Sequence, residues 1–103
     1  MPVDLVWTRR AREDSIEIYL YIGSENPSAA ERIFRALQSK VESLADYPRS
    51  GVRRADIRPS TRMLVETPYL ILYETHPDSE EGRIDQVAIV RIVDGRRNLR
   101  NLF

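Results

Sequence analysis

The chain has 103 residues, no cysteine, and 16 basic against 16 acidic side chains; 15 of the basic residues are arginine, and Lys40 is the single lysine. Such a composition excludes disulfides, thiolate nucleophiles and cysteine-ligated zinc, and its cations stay protonated near neutral pH and cannot serve as bases. One domain spanning residues 1–103 is expected, burying over ~60% of the unfolded surface, and the absence of a leader or a long uncharged apolar run predicts a cytoplasmic protein without membrane association.

In chain order, "VDLVW" at 3 to 7 alternates apolar with polar residues and predicts a short strand. Thr8 can cap a helix over 9–22, with Ala11, Ile18 and Ile22 on its inner face, Arg12, Glu13 and Glu17 toward water, and Gly23 as its stop. Asn26 and Pro27 open a second helix as cap and first residue. Its stripe of Ala30, Ile33, Phe34, Leu37, Val41, Leu44 and Ala45 is apolar at helical spacing, and Tyr47 before Pro48 ends it near Asp46. The short link makes the two helices an antiparallel hairpin.

Three strands follow at 62–66, 69–74 and 83–93, with a turn at Thr67–Pro68 and a polar loop carrying His76, Pro77 and Gly82. The last is apolar on both faces, Val87, Ile89 and Val93 on one and Ala88, Val90 and Ile92 on the other, so it belongs inside the sheet. The expected class is α+β: an N-terminal strand and a helical hairpin packed on one face of a small antiparallel sheet, in the order β-α-α-β-β-β. The opposite face must be polar or covered.

Charge is unevenly distributed. Residues 49–62 carry five arginines against one aspartate, and residues 74–85 carry five acids against one arginine. A lone histidine in an acidic loop cannot build a histidine metal site or a Ser-His-Asp arrangement, and no glycine loop could cradle a phosphate. No metal or cofactor is therefore expected. Neighbouring acids such as Glu13–Asp14 and Glu80–Glu81 read as solvated charges. What remains for function is arginine: a basic patch at Arg53, Arg54, Arg58 and Arg62, and the C-terminal Arg96, Arg97 and Arg100. Arg91, between Ile89 and Val93, either pairs with an acid or looks into a groove. In the tail, Leu99, Leu102 and Phe103 at i, i+3 and i+4 can pin a helical turn to the body.

The segments "NPSAAERIFRALQSKVESLADYPRSG", "TRMLVETPYLILYE" and "VRIVDGRRN", in this order and spacing, resemble the RelE/ParE superfamily of type II toxin–antitoxin toxins, and within it the ParE branch, over nearly the whole chain. The resemblance implies a small toxin held in a hetero-oligomer by a cognate antitoxin. The superfamily divides into ribosome-dependent mRNA endonucleases and inhibitors of DNA gyrase. RNA cleavage needs a proton acceptor and donor besides cations; RelE-like enzymes carry lysines before the sheet and a tyrosine near the C-terminus, where this chain has arginines, Leu102 and Phe103. A neutral total charge also suits ribosomal RNA poorly. A gyrase inhibitor with neither enzymatic activity nor direct sequence-specific nucleic-acid binding is thus expected, with an endonuclease or a non-toxic partner-binding module as alternatives. On this reading Arg91, Arg96, Arg97 and Arg100 contact the target, and Val87, Ile89 and Val93 accept the antitoxin. Many ParE-like sequences have histidine where this chain has Asp94; Asp94–Gly95 is a favourable turn pair.

Overall fold

The computed structural model describes residues 3–97, 99 and 102. Its elements are β1 (Asp4–Trp7), α1 (Arg9–Gly23), α2 (Pro27–Glu42) extended by a 3₁₀ turn at Ser43–Ala45, β2 (Val52–Arg53), β3 (Arg62–Glu66), β4 (Tyr69–His76) and β5 (Gln86–Asp94). The expected α+β class and element order are found, with the helices on one face of a five-stranded sheet. Strand order is β1-β5-β4-β3-β2. Two features go beyond the expectation: β2 adds a short edge strand, and β1 lies parallel to β5 while every other pairing is antiparallel.

Both helix starts follow from their caps. The Thr8 hydroxyl oxygen accepts from the Ala11 N–H at 3.1 Å and also donates to the Val90 carbonyl at 3.1 Å, so one side chain caps α1 and ties it to β5. Asn26 Oδ1 accepts from the Ala29 N–H at 3.0 Å, and Pro27 takes the first turn of α2.

The main core lies between helices and sheet. Ala11, Leu37, Val41 and Leu44 meet Ile71, Tyr73, Val87, Ile89 and Ile92, with Ile18, Ile22 and Ile33 partly buried against them. Phe34 departs from the predicted stripe: it is 39% exposed and stacks edge-on against Tyr19, ring centroids 5.7 Å apart. The far face of the sheet is also covered. Leu70, Leu72 and Val93 form a second small core under Ile57, Met63, Leu99 and Leu102.

Exit from the helical hairpin is set by one buried phenol. The Tyr73 hydroxyl donates to the Pro48 carbonyl at 3.0 Å and accepts from the Gly51 N–H at 2.8 Å. A Cβ on Gly51 would sit 2.5 Å from that hydroxyl oxygen and 2.9 Å from the Met63 carbonyl, so the backbone approaches this closely only because the residue is glycine.

Strand β5 does not keep one alternation. Tyr73 pairs with Ile89 but Leu72 with Arg91, leaving Val90 as an extra residue in a bulge. Beyond it the faces exchange: Val87 and Ile89 point to the helices, Ile92 takes over that role, and Val93 joins the far-side core. The expected single face of Val87, Ile89, Arg91 and Val93 is therefore split.

Candidate functional site

Strand β5 carries the chain out of the sheet at Asp94, opposite Tyr69. The Gly95 N–H donates to the Pro68 carbonyl at 2.8 Å, and the Arg97 N–H donates to the Asp94 carbonyl at 3.1 Å, closing a tight turn. Asp94 fixes that turn: its Oδ1 accepts from the Arg96 backbone N–H and from Arg96 Nε, both at 2.9 Å. The guanidinium first, and the backbone N–H second, pull the Asp94 carboxyl from its ordinary value down to about 2. Arg96 and Arg97 are both exposed. Arg97 has no ion-pair partner among the described residues, whereas Arg96 is held by Asp94. Leu99 and Leu102 pack on the far-side core, as the tail-pinning expectation requires. Arg100 and Phe103 lie outside the described residues.

Arg91 is not available to a target. Its side chain is 7% exposed, and Nε and Nη2 donate to the Asp14 carboxylate at 2.7 and 3.2 Å. Nη1 donates to the Leu102 carbonyl at 2.9 Å. Asp14, 4% exposed, also accepts from the Ile92 N–H at 3.0 Å. Strand β1 ends opposite Ile89, so this N–H would otherwise face an empty sheet edge; the Asp14 carboxylate takes the place of the missing strand. Of the two readings of Arg91, the ion pair is the one present, and Asp14 is a buried partner rather than a solvated charge.

The basic patch is likewise engaged. Arg53 forks onto Asp78 at 2.9 and 3.3 Å and onto Glu80 at 2.7 and 3.1 Å. Arg62, 4% exposed, reaches Glu80 at 3.0 Å and the Gly51 carbonyl at 3.3 Å. Arg54 pairs with Asp56, and Arg58 is exposed but also engaged. Arg49 ties down the same acidic loop through the Ser79 and Gly82 carbonyls at 2.9 and 2.8 Å. Hydrogen bonding to Arg53 holds both Asp78 and Glu80 below the ordinary carboxylate range.

Nor do Val87, Ile89 and Val93 form an acceptor face. They are 0%, 0% and 2% exposed, two under the helices and one under the far-side cover. Large apolar side chains at the surface are instead Ile16, Leu20 and Tyr21 of α1, with Tyr47, Val52 and Val65 scattered elsewhere.

Comparison with known proteins bears on this arrangement. The profile of the ParE toxin of type II toxin–antitoxin systems, parDE, matches residues 5–99. The chain belongs to the ParE toxin family. Y4kP of Sinorhizobium fredii is 42% identical over 76 residues, covering 72% of this chain and 77% of that protein. Toxin RelE2 of Caulobacter vibrioides is 40% identical over 70 residues, 67% of this chain and 76% of its own. Toxin ParE3 of the same organism is 35% identical over 63 residues, 61% of this chain and 56% of its own. Among solved structures, the chromosomal ParDE toxin–antitoxin system from P. aeruginosa superposes with a TM-score of 0.71, over 89% of this chain and 95% of that one; at 24% identity the likeness is one of fold.

The chain is thus a ParE/RelE-superfamily toxin of the type II class, and no helix among its described residues is long and apolar enough to cross a membrane. In this ParE-family toxin the residue that sequence reading missed is Asp14. The signal was present: Asp14 stands at i+3 between Ala11 and Ile18, inside the inward stripe of α1, where a solvated acid does not belong.

Proposed function

We propose that this ParE-family toxin acts in the cytoplasm by inhibiting DNA gyrase through its C-terminal arginines, and that a cognate antitoxin neutralises it by forming a hetero-oligomer. The observation that carries this reading is the contrast in availability among its cations. Arg53, Arg54, Arg62 and Arg91 are occupied by Asp78, Glu80, Asp56 and Asp14, whereas Arg97 stands exposed on a turn braced by Asp94 and Arg96. Cations held in fixed positions at the surface can meet an acidic partner without first breaking internal pairs.

The endonuclease alternative needs a proton donor beside its cations. Tyr73, paired with Arg62 across β3 and β4, is 0% exposed and locked between the Pro48 carbonyl and the Gly51 N–H, which leaves it unsuited to that task. The antitoxin contact is assigned to exposed surface, not to Val87, Ile89 and Val93.

A supercoiling assay with purified gyrase tests the proposal, run beside a ribosome-dependent mRNA cleavage assay. The wild-type chain inhibits supercoiling, and replacement of Arg96, Arg97 and Arg100 by alanine abolishes inhibition while antitoxin binding persists. Cleavage of mRNA on ribosomes with gyrase untouched assigns the endonuclease role instead. Full inhibition by the triple variant moves the target contact away from the tail.

A further inference from the structure

Between the second half of α1 and the end of β5 lies an open groove of about 480 Å³, lined among others by Glu17, Tyr21, Tyr69, Arg96 and Arg97. Tyr69 has its ring in the main core and is only 7% exposed. Its hydroxyl, which reaches the neighbourhood of Asp94, Arg96 and Tyr21, makes no hydrogen bond to any described residue. The ring is buried, but the hydroxyl oxygen is not sealed in the core and opens onto the groove, where it is free to bond to a ligand. Phenylalanine would fill the same core volume without leaving a polar group to be satisfied. Burial first, and the adjacent Asp94 second, push the phenol above its ordinary value, so at neutral pH it keeps its proton and acts as a donor.

Arg97, on the same groove, is a second donor without an ion-pair partner among the described residues, and Tyr21 stands beside them 79% exposed. From this juxtaposition we infer that the groove is a binding site for a carboxylate side chain of the protein target, held by the Tyr69 hydroxyl and the Arg97 guanidinium with the Tyr21 ring packed against its stem. Asp14 and Asp94 also line the groove, but each is paired with an arginine, Arg91 and Arg96; Glu17 is the further acid on the lining and stands against a run of phosphates, so the site suits one carboxylate placed at Arg97 rather than a nucleic-acid strand. This inference rests on the proposed action on gyrase and names the groove as the place where the target is held.

Substituting Tyr69→Phe removes a single oxygen and tests the inference directly. Because the hydroxyl has no internal partner, the variant keeps the wild-type melting temperature or exceeds it. Its concentration for half-inhibition of supercoiling by purified gyrase rises about tenfold, the loss expected of one charge-assisted hydrogen bond. In the Arg97→Ala background the same substitution costs less, since both groups serve one carboxylate. Inhibition by Tyr69→Phe equal to wild type, with Arg97→Ala weakened, overturns the groove while leaving gyrase as the target. A lower melting temperature of Tyr69→Phe also overturns it, by giving the hydroxyl a structural partner. Binding of a single-stranded oligonucleotide that depends on Tyr69 replaces the carboxylate with a phosphate ligand and overturns it too. If the wild-type chain neither binds nor inhibits gyrase, the proposed function and this inference fall together.

Discussion

The two arginine-rich regions of this toxin carry similar charge and are built in opposite ways. Residues 49–62 wrap one end of the sheet, and there Arg49, Arg53 and Arg62 close on the acidic β4–β5 loop, whose Asp78 and Glu80 supply carboxylates to the guanidinium groups. At the other end of the molecule the chain turns at Asp94–Gly95 and leaves Arg97 on the surface. The number of cations in a segment therefore says little about its readiness to bind. What decides is whether the fold brings carboxylates to them, and here the hairpin loop does so for one region only. Arg91 is the extreme of the engaged kind, sealed against Asp14 beneath the tail.

The sharpest way to break this contrast is to attack the buried pair. Arg91→Ala or Asp14→Ala leaves one charge uncompensated in the interior and should destabilise the fold by about 3–5 kcal/mol, measurable by urea unfolding. A joint Asp14→Leu and Arg91→Met change should recover part of that loss. Recovery stays incomplete, because the Ile92 N–H still loses its acceptor, at a cost of about 1–3 kcal/mol. A single substitution that leaves the unfolding midpoint in place would show Arg91 to be a free cation after all.

Next in size is Gly51→Ala, at the base of the engaged region. The added methyl group meets the Tyr73 ring and the Met63 carbonyl, and overpacking of this kind costs about 1–3 kcal/mol. Thermal melting reads it. A neutral result would mean that the 48–51 exit loop can give way, and with it the anchoring of the arginine segment.

A smaller effect concerns pH. Asp94 is depressed in the folded chain relative to its ordinary value of 3.8, so its pairing with Arg96 contributes fully above that value and is lost as pH falls through about 2. Carboxyl NMR on Asp94 should show a midpoint near 2, and Arg96→Ala should return it toward the ordinary aspartate range. An ordinary midpoint in the wild-type chain would remove the brace from the turn. The smallest change in stability is expected for Arg97→Ala: an exposed cation without an ion pair among the described residues is weakly coupled to folding, and the melting temperature should not move. A clear drop would place Arg97 with the engaged set.

Legibility followed the range of the interactions involved. The caps at Thr8 and Asn26, the α2 stripe through Ala30, Leu37, Val41 and Leu44, and the turn at Asp94–Gly95 were readable because each depends on residues within a turn or two of one another. The candidate site was readable only as a composition, a chain rich in arginine with its last apolar strand leading to more.

By itself, then, the sequence determined the kinds of elements, their order and which helical residues turn inward, because period and capping are local codes. Tertiary structure decided everything that depends on which strands meet and in what register. A one-residue bulge at Val90 moved Val93 to the far face and divided the apolar residues that a simple alternation would have kept together. Phe34, inside the stripe, came to rest at the rim, stacked edge-on against Tyr19 of α1. Asp14 and Arg91, 77 residues apart, found each other only because β1 stops short and leaves the Ile92 N–H for a helix to satisfy. A local pattern cannot state such pairings, since they arise from desolvated groups seeking partners across the assembled sheet.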